Sequence, residues 1–187
     1  MIIGVSGRNG SGKGALLEDL AGRGFTIFSL SDVLRNQLSE QGLAETRERM
    51  IATGNALRRE RGPGALASVL TQELEKDIHY GIDSIRHPAE VDVLATTTSE
   101  FRLIWVEAPI ELRFERIRHR ARPGDPDTVA ELARLENLER GGADTASQQL
   151  DAVRARADFV VANESGLDVL SASLDPILTS MGFEADA

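Results

Sequence analysis

The sequence predicts an α/β fold in which a five-stranded parallel sheet is covered by helices on both faces. Three observations predict it. Short apolar, β-branched runs recur at 1–6, 25–29, 78–83, 102–107 and 158–162. Stretches with helical spacing fill the gaps between them. Between the first run and the first helical stretch, residues 7–14 read Gly-Arg-Asn-Gly-Ser-Gly-Lys-Gly. Strands that alternate with helices pair in parallel, because each crossover lays a helix on a sheet face. Ligands of such sheets gather beyond the carboxyl ends of the strands, so residues just after each strand carry the functional reading.

Met1 to Ser6 reads as a buried strand. The glycine-rich loop that follows matches Gly-x-x-x-x-Gly-Lys-Ser/Thr at Gly7, Gly12 and Lys13. Gly14 stands where a hydroxyl is expected to hold magnesium. Glycines at 7, 10, 12 and 14 permit close backbone approach, so the amides of Gly7, Asn9, Gly10, Ser11, Gly12, Lys13 and Gly14 are expected to wrap a phosphate chain. The start of the next helix adds partial positive charge at the same place, and Lys13 is expected to reach the outer phosphates. A bare glycine turn is the competing reading. Lysine usage argues against it, because Lys13 and Lys76 are the two lysines among 21 cationic residues. Ala15, Leu16, Leu17, Leu20 and Ala21 then recur at helical spacing, and Gly24 ends the helix.

The second run leads into Ser31, a predicted helix cap, then Asp32 and Arg35. Their spacing lets both face the cleft. Asp32 has four readings: orienting a substrate hydroxyl, accepting its proton, holding a metal-bound water, or complementing the helix dipole. Arg35 is a candidate grip on an acceptor phosphate. Helices are expected over 31–42, 45–60 and 64–76, with Pro63 early in the last of these.

The third run ends at Asp83, a candidate magnesium-water ligand, followed by Arg86, a second acceptor-phosphate candidate. Pro88 opens a helix over 89–99. The fourth run precedes a helix over 110–121, on which Arg116 and Arg120 share one face and suit phosphate contact. Breaks at Arg122-Pro123-Gly124-Asp125-Pro126 and Gly141-Gly142 frame a helical insert, about 121–143, able to move as a lid, with its helix at 127–140. A helix over 145–157, the fifth run, a turn with Asn163 and Gly166 that suits a nucleotide base, and a helix over 167–181 complete the chain. Glu184 to Ala187 are expected to fray.

Composition bounds the function. At 187 residues the chain fits one domain. Aromatic residues make up 4%, so the core is expected to be Leu, Ile, Val and Ala. No cysteine means no disulfide, thiolate metal site or cysteine nucleophile. The N-terminus enters a strand directly, without a signal segment, and no apolar run approaches the ~20 residues that span a bilayer. A cytoplasmic protein without membrane partners is expected. A net charge of −9 disfavours general nucleic-acid binding. Local arginine clusters at 58–61 and 113–122 suit small phosphorylated ligands, or helix faces laced with ion pairs.

These elements resemble the P-loop nucleoside and nucleotide kinases. Asp32-Val33-Leu34-Arg35 resembles the Asp-x-Leu-Arg element of the adenylate kinase group, whose arginine binds the acceptor phosphate. Asp83 with Arg86 resembles that group's Asp-Gly-x-x-Arg element. Arg116-Ile117-Arg118-His119-Arg120 resembles its lid entrance, and Asp125-Pro126-Asp127-Thr128 a lid segment. Over almost the whole chain the likeness is to archaeal-type kinase-like proteins related to dephospho-CoA kinase. Ser29-Leu30-Ser31-Asp32, Thr53-Gly54-Asn55, Gly62-Pro63-Gly64, Asp83-Ser84-Ile85-Arg86 and Gln148-Gln149 carry it. The resemblance implies a three-layer P-loop kinase fold with a helical lid, using ATP and magnesium.

The expected function is an ATP-dependent phosphotransferase acting on a nucleotide-like acceptor, foremost a (deoxy)nucleoside monophosphate kinase, monomeric or homodimeric. Lys13, Asp32, Arg116 and Arg120 are its catalytic candidates. Arg35 and Arg86 bind the acceptor, and Asp32 and Asp83 hold magnesium through water. A dephospho-CoA kinase-like enzyme is one alternative. The other is a nucleotide-binding regulator without turnover, in which Gly14 marks the lost metal contact.

Overall fold

The computed structural model describes residues 1–121, 125–139 and 146–183. The apolar runs form five strands: Ile2–Ser6 (β1), Thr26–Ser29 (β2), Tyr80–Asp83 (β3), Phe101–Glu107 (β4) and Phe159–Ala162 (β5). They make one all-parallel sheet in the order β2-β3-β1-β4-β5. Register pairs Ile2 with both Tyr80 and Phe101, Ser29 with Asp83, and Glu107 with Ala162. The strand ends therefore line up, and β1, the strand that feeds the glycine loop, lies at the centre.

Side-chain alternation along the strands divides the core into two layers. Ile2, Leu103 and Trp105 point to one face, with Leu30 and Leu34 of helix α2 (Leu30–Glu40), Leu66 of α4 (Ala65–Leu70) and Leu94 of α5 (Pro88–Thr97). Ile3, Val5, Ile104 and Val106 point to the other. They meet Leu16 and Leu20 of α1 (Lys13–Gly22), Leu170 of α9 (Leu167–Ala172) and Leu174 and Ile177 of α10 (Leu174–Ser180). This is the expected three-layer architecture. The remaining helices are α3 (Arg47–Arg61), α6 (Ile110–Arg120), α7 (Val129–Glu139) and α8 (Leu150–Arg154).

Several boundaries depart from expectation for physical reasons. Ser31 lies inside α2. Ser29, still extended, precedes the helix, and its hydroxyl shares a hydrogen bond with the Ser31 hydroxyl instead of capping. Pro63 sits in the turn before α4, which is shorter than expected and closes in a 3₁₀ turn at Thr71–Glu73. The expected helix over 167–181 breaks at Ser173 into α9 and α10. Pro176, in the first turn of α10, has no N–H to offer the preceding turn, so one continuous helix is disfavoured. Pro88 begins α5 as expected, and His87 with Glu90 forms a reciprocal cap there.

Of the expected insert over about 121–143, α7 falls within the described residues. The breaks at Arg122-Pro123-Gly124 and Gly141-Gly142 lie outside them, as do Glu184 to Ala187. Among the described residues no helix is long and apolar enough to cross a membrane.

Candidate functional site

The glycine loop links β1 to α1 at the centre of the sheet. The Ser6 hydroxyl donates to the Ile85 carbonyl at 2.7 Å, joining the end of β1 to the loop that leaves β3. Gly12 precedes α1 at φ 101°, and a Cβ there would lie 1.9 Å from Asn163 Nδ2. Glycine is required at 12 both for conformation and for space. Lys13 opens α1, and its ammonium donates to the carbonyls of Gly7 (2.9 Å) and Arg8 (3.1 Å). The first turn of α1 contains no acidic residue, so its amides and partial positive charge are left for an anion. Ser11 Oγ is buried without a hydrogen-bond partner. Gly14 is different: a Cβ added there meets nothing within 4 Å, so a serine would fit.

Beside the loop, Asp83 ends β3. Its Oδ2 accepts from the Ser84 hydroxyl at 3.2 Å, while Oδ1 is buried and has no partner. An orphaned carboxylate oxygen on a residue that shares a cleft with the glycine loop suits a hydrated magnesium ion, which retains several waters and needs few protein ligands. No group of three or more His, Asp or Glu among the described residues is arranged to hold a metal, so the donors fit a water-rich ion rather than a protein cage.

Asp32 and Arg35 meet each other. Arg35 Nη1 donates to Asp32 Oδ1 at 2.5 Å and to Ser31 Oγ at 2.9 Å, and Nε donates to Glu45 Oε1 at 3.0 Å. Partial burial lowers the Arg35 pKa, but the hydrogen bonds to Asp32 and Glu45 outweigh it and hold the guanidinium above its ordinary value. Arg86 donates to Gln148 Oε1 at 3.3 Å.

The arginines of α6 take different positions. Arg116 donates to the Asn163 carbonyl and side-chain oxygen at 3.0 and 3.2 Å, and to the Ser11 carbonyl at 3.4 Å. Among the described residues no carboxylate pairs with it, and burial lowers its pKa. Arg120 instead forms a two-pronged pair with Asp125, at 2.7 and 3.1 Å. Arg113 is buried against Glu136 of α7, to which Arg8 of the glycine loop also donates at 3.2 Å. Asn163 is buried, with its amide directed to the Ser11 carbonyl at 2.9 Å. Gly166 is exposed at the start of α9.

A cleft of about 1050 Å³ opens over the carboxyl ends of β1, β2 and β3. It brings together Asn9, Gly10, Gly12, Lys13, Gly14, Asp32, Arg35, Asp83, Arg86, Arg116 and Arg120. Gly7, Ser11, Asn163 and Gly166 do not line it.

Sequence reading did not find the contacts of four groups. Arg58 and Glu90 form a buried pair, Glu136 anchors α7, Arg8 joins the loop to it, and Gln148 partners Arg86. Glu90 carried a usable signal, since it stands at the third helical position after His87-Pro88. Leu132 and Glu136 are four apart on one buried helix face, a weaker signal for Glu136.

A family profile described as an AAA domain matches residues 6–133. A UPF0200 protein of Methanoregula boonei is 32% identical over 182 residues, covering 96% of this chain and 97% of the relative. A UPF0200 protein of Hyperthermus butylicus is 30% identical over 183 residues, covering 97% and 95%. Among solved structures, TT1252 from Thermus thermophilus superposes with a TM-score of 0.62 at 22% identity, over 96% of this chain and 97% of that one. Shikimate kinase from Acinetobacter baumannii, solved with shikimate, gives 0.59 at 15% identity, over 96% and 93%. These structures share the fold, and the five-stranded parallel sheet is the one expected.

Proposed function

The chain belongs to the UPF0200 family and to the AAA-domain family, and we propose that it is an ATP-dependent phosphotransferase acting on a nucleotide-like acceptor, with a (deoxy)nucleoside monophosphate as first candidate. The observation that carries the proposal is the shared cleft. Lys13 and the start of α1 line it after β1, and Arg35 and Arg86 line it after the neighbouring strands β2 and β3. That arrangement suits a donor triphosphate and an acceptor phosphate brought end to end.

Catalysis on this reading is alignment and electrostatic stabilisation. Lys13 exchanges the loop carbonyls for phosphate oxygens. Arg116, which pairs with no carboxylate among the described residues, turns from carbonyl oxygens toward the donor phosphates. Arg35 gives up Asp32 or Glu45 to hold the acceptor. Asp32, once released, is placed to orient the acceptor's attacking group. Magnesium, when bound, neutralises charge on the phosphates, and Asp83 with Asp32 would hold its water shell. The residues over 121–143 act as a lid, with Arg120 at its base, and exclude water from the transfer. The proposal carries with it a cytoplasmic monomer or homodimer without membrane or general nucleic-acid partners.

A coupled assay with ATP, magnesium and a panel of ribo- and deoxyribonucleoside monophosphates plus dephospho-CoA tests it. Transfer to one acceptor class supports the proposal and names the substrate. ATP binding with no transfer to any member sinks it. A second reading, a nucleotide-binding regulator without turnover, is favoured by one observation: Gly14 provides no hydroxyl for the metal.

A further inference from the structure

Glu90 is the most deeply buried carboxylate in the described structure, with 0% exposure, and it is paired on both sides. Oε1 accepts from Arg58 Nε at 3.2 Å and Nη2 at 2.8 Å. Oε2 accepts from the backbone amides of Arg86 at 2.8 Å and His87 at 3.1 Å. One carboxylate thus binds the loop after β3 to helix α3, 32 residues away in sequence. Arg58 is itself 4% exposed and lines the cleft that Arg86 also lines.

A burial this complete is costly for an ionised pair, so its geometry has to be well satisfied to persist. Here four donors converge on two oxygens. A helix cap alone would need the two backbone bonds and no arginine. Hydrophobic residues of similar volume would pack α3 against α5 at no desolvation cost. What they would not supply is a fixed backbone for Arg86. Arg86 lies in the short loop between β3 and α5, in which Ser84 stands at φ 63°; the Gln149 amide holds the Arg86 carbonyl at 2.8 Å, and Glu90 holds its amide.

We propose that Glu90, held by Arg58, is a positioning residue of the acceptor site. It fixes the Arg86 backbone in one frame with α3, so that the Arg86 guanidinium enters the cleft already aligned for an acceptor phosphate. This rests on the acceptor role given to Arg86 above. The expected effect follows from misalignment. Loosening a group that holds the acceptor weakens acceptor use by about tenfold to a hundredfold, while the donor phosphates, held by the separate loop at Lys13, are untouched.

The test compares wild type with Glu90→Gln, Glu90→Ala and the conservative Arg58→Lys. Three quantities are measured on each: the Kd of a non-hydrolysable ATP analogue, the Kd and KM of the monophosphate that wild type uses, and hydrogen exchange at the Arg86 and His87 amides. Retention of the thermal transition shows which variants are folded, and Arg58→Lys keeps the charge if the Glu90 variants are not. The proposal expects faster exchange at those two amides, a tenfold or greater rise in monophosphate Kd, and ATP-analogue affinity within twofold of wild type. Arg58→Lys, which keeps a cation beside Glu90 and both backbone bonds to it, should lose less monophosphate affinity than either Glu90 variant. Equal loss of both ligands in folded variants assigns Glu90 a structural role only and overturns the proposal. Unchanged monophosphate affinity overturns it as well. A wild-type chain that binds ATP and no monophosphate overturns the acceptor reading and this inference with it, an outcome distinct from the other two.

Discussion

The side-chain amide of Asn163 donates to the carbonyl of Ser11 across 152 residues of sequence, and Gly12 is the position its nitrogen overhangs. The exit of β5 is thereby fastened to the glycine loop, and Arg116 is fastened to both, through the two Asn163 oxygens and the Ser11 carbonyl. The turn after β5 is thus part of the scaffold that shapes the loop.

Gly12→Ala is expected to disrupt this joint. Left-handed backbone costs a residue with a Cβ about 1–2 kcal/mol, and the new methyl must also displace the Asn163 amide. Since about 1.4 kcal/mol is a factor of ten, nucleotide affinity should fall by at least about tenfold. Isothermal titration with ATP checks this. Asn163→Ala should weaken the same affinity with less strain, because it unties Ser11 and Arg116 without a clash. Unchanged affinity in both variants would mean that the loop's shape does not depend on β5.

Gly14 lies against open space, so Gly14→Ser should fold as well as wild type and gain up to about 0.5 kcal/mol from better helix propensity. If a missing hydroxyl weakens the metal hold, the substitution should tighten magnesium-dependent ATP binding and raise any transfer rate. Titrating ATP with and without magnesium in both proteins reads this out. A regulator without turnover should gain metal dependence and remain inactive. A substitution with no effect on metal dependence would show that position 14 is not where the hydroxyl is missed.

The strands and the loop were legible because their signals are local. β-branched runs bounded by glycine, and a spaced Gly-Gly-Lys, need no knowledge of the partner chain segment. That Lys13, Arg35, Asp83 and Arg86 line one cleft was legible because parallel topology dictates that strand ends share it. The buried pairs were not. Arg58 sits in a run with Arg59 and Arg61, and nothing in that run distinguishes the arginine that meets Glu90. Glu136 likewise looks like any acid of a charged helix until α6 and α7 are packed together. Pro176 carried a readable helix break that apolar periodicity obscured.

Glu136 accepts from Arg113 and from Arg8, and both Arg113 and Glu136 are buried. Removing one partner of such a group leaves an uncompensated charge, at a cost of about 3–5 kcal/mol. Glu136→Ala should therefore lower the midpoint of urea unfolding strongly. Asp92 pairs with Arg156 on the surface, where both side chains are about half exposed. Asp92→Ala should change stability by about 0–1 kcal/mol, because solvent screens the pair. Equal losses in the two variants would contradict the burial argument.

An acceptor phosphate has to compete with Asp32 and Glu45 for the Arg35 guanidinium, whose Nη1 and Nε they hold. Both pairs are half-exposed, so each is worth at most about 1 kcal/mol to the ligand-free state. Glu45→Gln removes one competitor and keeps the size of the side chain. It should lower acceptor KM by up to about fivefold, the equivalent of 1 kcal/mol, and leave ATP affinity alone. Arg35→Ala should raise acceptor KM instead. Asp32→Asn should separate from both, because it frees Arg35 but removes the carboxylate proposed to orient the attacking group, so kcat falls while KM does not rise. Steady-state kinetics on the three variants, at fixed saturating ATP, reads each effect. A higher acceptor KM in Glu45→Gln would mean that Glu45 holds Arg35 in its working position instead of competing for it.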